Sequence, residues 1–479
     1  MKLNRLKVYN THSRSIEEFS PLHGNRVYMF VCGPTVYDHS HIGHARTYLA
    51  YDIIARYLRV KGYSVFYLMN ITDIDDKIIN RANELGQDPL ILADRFRSDF
   101  LQDMHSLGID SVNLYAKASE HIPEIISQIL TLVDKRFAYQ VDGDVFFDVS
   151  KFPNYGKLSR QNINQLTTHR IDPDPRKKNV VDFALWKSEK PGEPAWVSPW
   201  GRGRPGWHIE DTAITTTYLG PSYDVHGGGL DLIFPHHEAE IAQAEAATGK
   251  QPLVKYWIHS GLLTVSGTRM GKSVGNFITI KDALLKHDPE ALRLYFAASH
   301  YRSQLEYDES HVAQTEQVLE RLRAVFNQFR SLQATARPGA APELDEVRKI
   351  VAQAKEEFDT AMDDDFNTPR ALAAIIGFAK VIEPYANDRL NQQSFVEVLN
   401  LFAYFGNVFG ILQTKGTAFE RVFERLLNMV LSTRDEARRK GDWGTSDRIR
   451  DSLRDLGIVV EDSAEGVKWH LKPAAEKSA

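Results

Sequence analysis

An apolar run from Val27 to Val31 passes directly into Cys32-Gly33-Pro34, and an apolar-periodic segment begins just past Gly43. Strand, glycine-bearing loop and helix in that order form the opening unit of a parallel, doubly wound sheet. At such a junction backbone N–H groups and the positive end of a helix dipole meet in a crevice suited to phosphate oxygens. The loop closes with His41-Ile42-Gly43-His44. His41 and His44, three apart, fall on one face of the first helical turn, so both rings can address one phosphate and stabilise charge growing on it under attack. Gly43 has no Cβ, which lets a purine or ribose lie close to the backbone. Taken alone, an H-x-x-H pair reads equally as a helix cap; the strand and loop before it favour the phosphate reading.

A second stretch, Gly267-Thr268-Arg269-Met270-Gly271-Lys272-Ser273-Val274-Gly275-Asn276, nearly reads as a P-loop. It fails the spacing, because Ser266 stands where the first glycine should be. What remains is a basic, glycine-containing loop whose Arg269 and Lys272 can close on a triphosphate and neutralise departing pyrophosphate. By itself it would pass for an exposed basic turn.

The 479 residues exceed one ordinary core, so two to four domains are expected. With 43% hydrophobic and 25% charged residues, the composition is that of a soluble globular protein. No apolar stretch reaches the roughly 18 residues of a membrane span, and the first residues lead into no secretory core. A cytoplasmic location is expected. The net charge of −5 argues against an indiscriminate polyanion binder, so any nucleic-acid contact must be local. Lys157, Arg160, Arg170, Arg176, Lys177 and Lys178 form a mildly basic stretch that reads as solvated surface. The single cysteine excludes an intramolecular disulfide; Cys32 is a buried small residue or a reactive ligand, and its place beside the crevice favours the ligand.

Along the chain, 1–120 reads as the first half of the doubly wound domain, with strands at 27–31 and 65–68. A turn-rich insertion follows over 121–200, marked by Asp172-Pro173-Asp174-Pro175 and Lys190-Pro191-Gly192-Glu193-Pro194. The second half, 201–310, holds strands at 222–225, 232–234 and 254–258, with the sheet complete near residue 285. Helical periodicity runs from Asp288 to about 415, interrupted at Thr335-Ala336-Arg337-Pro338-Gly339, and predicts a bundle over 311–415, with Asn367-Thr368-Pro369 supplying a cap and a first-turn proline. A small α+β module over 420–471 includes a strand at 458–460, and 472–479 is a tail expected to be disordered.

The segment His226-Gly227-Gly228-Gly229-Leu230-Asp231-Leu232-Ile233-Phe234-Pro235-His236-His237-Glu238-Ala239-Glu240 carries a possible metal pair. If Pro235 begins a helix, His236 and Glu240 lie one turn apart on one face, a common way to give two ligands to one ion. Helix-start histidines and a solvated glutamate are the plain alternative.

The two loop motifs resemble the HIGH and KMSKS signatures of class I aminoacyl-tRNA synthetases, with Arg269 for the first lysine, Gly271 for the first serine and Lys272 for the second lysine. Cys32, Gly206-Trp207-His208-Ile209-Glu210-Asp211 and the 226–240 segment resemble cysteinyl-tRNA synthetases specifically, over nearly the whole chain. The resemblance implies a Rossmann-type catalytic domain and ATP-dependent attachment of L-cysteine to tRNA(Cys) through a cysteinyl-adenylate, with release of AMP and pyrophosphate. It makes His41, His44 and Lys272 catalytic, and gives ATP to His41, Gly43, His44, Arg269 and Lys272. Mg²⁺ would arrive with ATP. In that family one Zn²⁺ is held by the first-motif cysteine, a cysteine after W-H-I-E, the first histidine of P-H-H-E and the glutamate four beyond it. Carried over, these are Cys32, Asp211, His236 and Glu240, with Asp211 standing where the family has cysteine. Thiolate and carboxylate carry the same charge, and zinc accepts carboxylate oxygen, so zinc is expected to remain, more weakly held.

Zinc gives a physical reason for choosing cysteine, since an apolar pocket separates such near-isosteres by only about 10–200-fold. Thr72, Trp207 and Asp231 would hold the ammonium and wall the amino-acid site, although Trp207 reads equally as core. Between Arg434 and Asp451 six basic residues face five acidic ones, which is no simple electrostatic patch. That stretch resembles the family's anticodon-binding module: Trp443 could stack a base and Asp447 accept base-edge hydrogen bonds. The plain alternative is a helix-end tryptophan packed in a small core. Two rival functions stand beside this one, a cysteine ligase acting on a small amine as in mycothiol formation, and a non-catalytic paralogue binding RNA or nucleotide. A monomer is expected.

Overall fold

The computed structural model describes residues 6–161, 174–270, 275–334, 336, 344–387, 390–412, 418–456, 458–463 and 466–471. Two compact units divide the chain between Leu412 and Gln413.

In the larger unit β1 (Arg26–Val31) leads to α1 (Ile42–Val60) and back to β2 (Ser64–Ile71), followed by β3 (Leu114–Lys117). After an intervening segment come α2 (Ile209–Leu219), β4 (Tyr223–Gly229), α3 (Glu238–Thr248) and β5 (Val254–Ser260). The five strands pair in the order β5-β4-β1-β2-β3, every pair parallel. Parallel strands covered on both faces must be apolar throughout, and Val27, Met29, Phe30 and Val31 are all buried. Connections run one way from β1 to β2 and the other way through β4 to β5, so the crevice between β1 and β4 is a topological switch point, where α/β sheets bind ligands. Tyr51 of α1 pins the helix there, its hydroxyl donating to Ile258 O and accepting from the Gly228 N–H, both at 2.7 Å.

The insertion between β3 and α2 is itself ordered as an antiparallel five-stranded sheet, with strands from Ala138–Val141 through Gly201–Pro205. Two expectations are corrected. Residues 232–234 are not a strand: a tight 3-10 turn, Leu230–Leu232, passes into a wider turn, Ile233–His237, in which Phe234 alone is extended, and this runs into α3. A three-residue apolar run has too little length to establish a strand period, and Pro235 supplies no N–H for a ladder. The parallel sheet also ends at Ser260; Leu263–Val265 instead pairs with Thr268–Arg269 and Leu305–Tyr307 in a separate small sheet.

α4 (Pro289–Ala297) precedes the Leu305–Tyr307 strand, and after it the described elements of the unit are helical: α5 (Glu309–Gln333), α6 (Leu344–Met362), α7 (Thr368–Ile382) and α8 (Gln392–Phe409). Asn367 caps α7 by accepting from the Arg370 N–H, with Pro369 in the first turn. The core is shared: Leu49, Ile53 and Ile54 of α1 belong to the same apolar cluster as Leu292, Phe402 and Phe405 of these helices.

The smaller unit joins α9 (Ala418–Arg439) and α10 (Trp443–Asp455) to a hairpin, Ile458–Ser463 with Gly466–Leu471. Its core is Leu427, Leu431, Leu453 and Ile458. The tail 472–479 lies outside the described residues.

Candidate active site and metal centre

His41 is the N-cap of α1, and the two histidines cap the helix reciprocally. The backbone N–H of His44 donates to His41 Nδ1, and that of His41 donates to His44 Nδ1, each at 3.3 Å. Only an unprotonated ring nitrogen can accept, so both imidazoles carry their proton on Nε2. The rings stack at 3.8 Å between centroids with 12° between planes. Burial, and then the charges of His41 and Lys77, hold His44 well below the usual histidine value, so it is a neutral N–H donor at neutral pH. The cap and phosphate readings of H-x-x-H are thus compatible, with capping fixing the tautomer that donation needs. A Cβ on Gly43 would stand 2.9 Å from the His41 ring, so the space this glycine leaves is taken by that ring.

Cys32 follows directly on β1, Asp211 lies in the first turn of α2, and His236 and Glu240 flank the start of α3. Folding brings the donor atoms of these four buried side chains within 4.8 Å of one another. His236 Nε2 is 3.1 Å from Asp211 Oδ2 and 2.9 Å from Glu240 Oε1, and Cys32 Sγ is 4.0 Å from Glu240 Oε1. Around them, Asn70 Nδ2 donates to Asp211 Oδ1 at 2.5 Å, and His236 Nδ1 faces His208 Nδ1 at 2.8 Å. Burial, followed by Glu240 and Asp211, drives the Cys32 thiol well above its usual pKa. His236 is raised to about 10: burial opposes this, but Glu240 and Asp211 overcome it. Two carboxyls and a thiol crowd one dry space, so its potential is strongly negative, and a divalent cation satisfies it. The four residues can therefore hold a metal ion.

A second buried set overlaps the first: Cys32, His226, His237 and Glu240 also place one donor atom each within 4.8 Å of the others. The sequence reading did not assign Asn70, His226 or His237. His226 was visible as a polar residue inside an otherwise buried strand, and His237 as the neighbour of a presumed ligand. Asn70, two residues before Thr72, was given no role, because its partner Asp211 lies far along the chain.

Cys32, His41, Gly43, His44, Thr72, Trp207, Asp211, Asp231 and His236 all line one cleft of about 710 Å³, a size ordinary for ligand sites. Glu240 sits behind it, 1% exposed. Trp207 is 37% exposed and stacks on His236 at 4.4 Å, so it is a wall of the cleft and not core. The Thr72 hydroxyl donates to Glu210. Met270 reaches the cleft, while Lys272 lies outside the described residues and only the backbone of Arg269 is described. In the smaller unit Trp443 is 59% exposed, which removes the packed-core alternative. The Arg438 guanidinium lies 5.8 Å from the centre of its ring, and Asp447 pairs with Arg450 at 3.1 Å.

Residues 18–317 match the tRNA synthetases class I (C) catalytic domain, 357–413 the DALR domain, and 424–469 the cysteinyl-tRNA ligase anticodon binding domain. A cysteine–tRNA ligase of Heliobacterium modesticaldum is 44% identical over 97% of this chain and 99% of its own length. The chain belongs to the cysteinyl-tRNA ligase family. Another member, from Thermococcus kodakarensis, is 46% identical over 97% of this chain and 98% of its own. Among solved structures, Mycobacterium tuberculosis methionyl-tRNA synthetase in complex with methionyl-adenylate is similar with a TM-score of 0.58. It is 18% identical and covers 80% of this chain and 89% of its own. The Agrobacterium radiobacter K84 agnB2 leucyl enzyme, from a ternary complex with tRNA, has a TM-score of 0.61 at 13% identity, over 82% and 85%. At these identities the likeness is one of fold: the α/β catalytic architecture of family members is that of class I synthetases. Among the described residues no helix is long and apolar enough to cross a membrane.

Proposed function

We propose that this protein attaches L-cysteine to tRNA(Cys), using ATP and passing through a cysteinyl-adenylate. One observation carries the reading: the His41–His44 donor pair and the donors of Cys32, Asp211 and His236 line the same cleft, so a thiol and a nucleotide phosphate share one chamber. The anticodon-binding match over 424–469 favours tRNA over a small amine as acceptor, and the intact donor pair speaks against a non-catalytic paralogue.

In the first step a carboxylate oxygen of cysteine bonds to the α-phosphorus of Mg²⁺-ATP, and the bond from that phosphorus to the β-phosphate oxygen breaks. The Nε2–H groups of His41 and His44 donate to the α-phosphate oxygens as charge builds there. Arg269 and Lys272 neutralise the departing pyrophosphate. Thr72, Trp207 and Asp231 hold the ammonium and wall the pocket. Cys32, Asp211, His236 and Glu240 would hold a zinc ion, which when bound ligates the substrate sulfur as a thiolate, whereas a serine hydroxyl stays protonated and ligates poorly. In the second step a hydroxyl of the terminal ribose of tRNA takes the acyl group and AMP leaves. Trp443 and Asp447 contribute to reading the anticodon. The protein acts in the cytoplasm, as a monomer.

Two assays on the purified protein test this. Cysteine-dependent exchange of pyrophosphate into ATP, with serine at least tenfold poorer, and charging of a tRNA(Cys) transcript are expected. Absence of cysteine-dependent exchange would overturn the reading, and exchange without tRNA charging would return the small-amine acceptor to first place.

A further inference from the structure

The two carboxylate oxygens of Glu240 face different neighbours. Oε1 lies 2.9 Å from His236, whereas Oε2 lies 3.4 Å from His226 Nε2. On this second side Cys32 Sγ is 3.4 Å from His226 Nε2 and 3.2 Å from His237 Nε2. Bonds of about 2.0–2.3 Å to a tetrahedral zinc-class ion separate its donors by roughly 3.3–3.7 Å, so these spacings already approximate tetrahedral edges. Cys32, His226, His237 and Glu240 are all buried.

The outer nitrogens of both histidines are engaged. His226 Nδ1 is 2.7 Å from the Tyr223 hydroxyl, and His237 Nδ1 is 2.8 Å from His259 Nε2, whose Nδ1 is in turn 2.8 Å from Thr11 Oγ1. With Thr11 accepting from His259 and His259 from His237, the Nε2 lone pair of His237 faces the cysteine. A hydrogen-bond acceptor behind the ligating ring fixes the tautomer and orientation of a metal-bound histidine, and here a hydroxyl and an imidazole stand in that place. Trp257 stacks on the His226 ring at 4.3 Å, fixing its plane, and a Cβ on Gly228 would come 2.9 Å from the His237 ring, so only glycine there leaves that ring its place. With the Tyr223 hydroxyl accepting from His226 Nδ1 in the same way, the Nε2 lone pairs of both histidines, together with Glu240, face Cys32. One thiol proton can then serve only one of these three acceptors, and a buried acceptor left facing acceptors is costly. A cation serves all three.

We propose that Cys32, His226, His237 and Glu240 form a second seat for a zinc-class divalent ion, overlapping the first through Cys32 and Glu240 and independent of Asp211 and His236. The donor set is one thiolate, one carboxylate and two imidazoles, so an ion of charge +2 is neutralised there, and the seat is softer than the one that uses Asp211. This extends the metal part of the reading above and owes nothing to the tRNA part; cysteine-dependent pyrophosphate exchange by the unmodified protein reports on that reading separately.

The test uses full-length Asp211→Asn and Asp211→Asn/His236→Gln proteins loaded with zinc alone, with X-ray absorption at the zinc edge counting ligands. One zinc per chain, with two imidazole nitrogens and one sulfur, is expected in both. Adding His226→Gln and His237→Gln to either should weaken zinc binding by more than about 100-fold. Loss of zinc with Asp211 and His236 alone, or an ion bearing no more than one imidazole, overturns the proposal. Should those variants fail to fold, the unmodified protein decides under excess zinc. A second equivalent, or an average above one imidazole per ion, supports the seat; a single equivalent with a single imidazole overturns it.

Discussion

Asn70 Nδ2 donates to Asp211 Oδ1 at 2.5 Å, and this leaves Asp211 Oδ2 to face His236 Nε2 at 3.1 Å. The same asparagine accepts from the Gly33 N–H at 2.6 Å, beside Cys32. One amide thus ties the Asp211 carboxylate to the backbone just after Cys32. Asn70→Ala is expected to lower cysteine-dependent pyrophosphate exchange by about 10–100-fold, the usual effect of removing a partner behind a metal ligand. Asn70→Asp, which places a third carboxylate beside Asp211, should be no better, and a fully active alanine variant would count against the positioning role.

His44→Ala removes one of two neutral N–H donors aimed at the cleft. The loss of a preformed donor costs about 100–1,000-fold in kcat, with the KM for ATP little changed. Because burial holds the His44 pKa well below the ordinary value, the ring does not titrate around neutrality. The pH profile of exchange should therefore show no acid limb from this group near its usual value of 6.5.

Asp103 is buried in the Pro89–Ser106 helix and its Oδ2 has no hydrogen-bond partner among the described residues. Burial pushes its pKa up to about 7, from an ordinary 3.8. The folded state then holds a proton that the unfolded chain has released, so stability falls as pH rises through that window and levels off above it. The slope contributed is at most about 1.4 kcal/mol per pH unit. Asp103→Asn keeps the shape without the titration. Denaturant unfolding at a series of pH values should give a flatter profile for the variant, and identical slopes would refute the assignment.

Arg293 of α4 is buried and fully engaged. It donates to Asp52 of α1 at 2.5 Å, to Phe409 O at 2.7 Å, and to Leu107 O and Gly108 O at 3.0 Å. Burial opposes ionisation of Asp52, but Arg293 and then Arg56 hold its pKa below the usual carboxylate value. Arg293→Met would leave that buried carboxylate with Arg56 as its remaining cation, a loss of about 3–5 kcal/mol measured by chemical unfolding. The sign for pH follows: stability from the Asp52 pair is present above the ordinary carboxylate pKa of 3.8 and is lost as pH falls through its lowered folded value.

Trp443 is too exposed to support a core, so Trp443→Ala should change unfolding free energy by less than about 0.5 kcal/mol. If its ring stacks on an anticodon base, worth about 1–3 kcal/mol, charging of tRNA(Cys) falls by roughly 5–150-fold while pyrophosphate exchange is unchanged. Equal loss in both assays would contradict the stacking role.

Local pattern made much of the frame legible. The apolar run before Cys32, the histidine pair at a helix start and Asn367 before Pro369 each depend on residues within a few positions, where periodicity and capping chemistry act directly. The apolar triplet at 232–234 misled for the same reason, because three residues carry no period and the proline that follows sets the turn. His236 and Glu240 were readable as an i, i+4 pair, but the start of α3 at Glu238 shows that the turns before it, and not a helix begun by Pro235, deliver His236.

The sequence by itself determined the strand–loop–helix unit, the paired imidazoles, the order of parallel and helical regions, and which residue types were available to bind sulfur, phosphate and metal. Tertiary structure alone decided that Asn70 meets Asp211, that Glu240 turns one oxygen to His236 and the other to His226, and that Arg293 closes on Asp52. Apart from the i, i+4 step between His236 and Glu240, those contacts join residues from 14 to 241 positions apart, and their energies depend on burial and on geometry that only the packed sheet and helices can set.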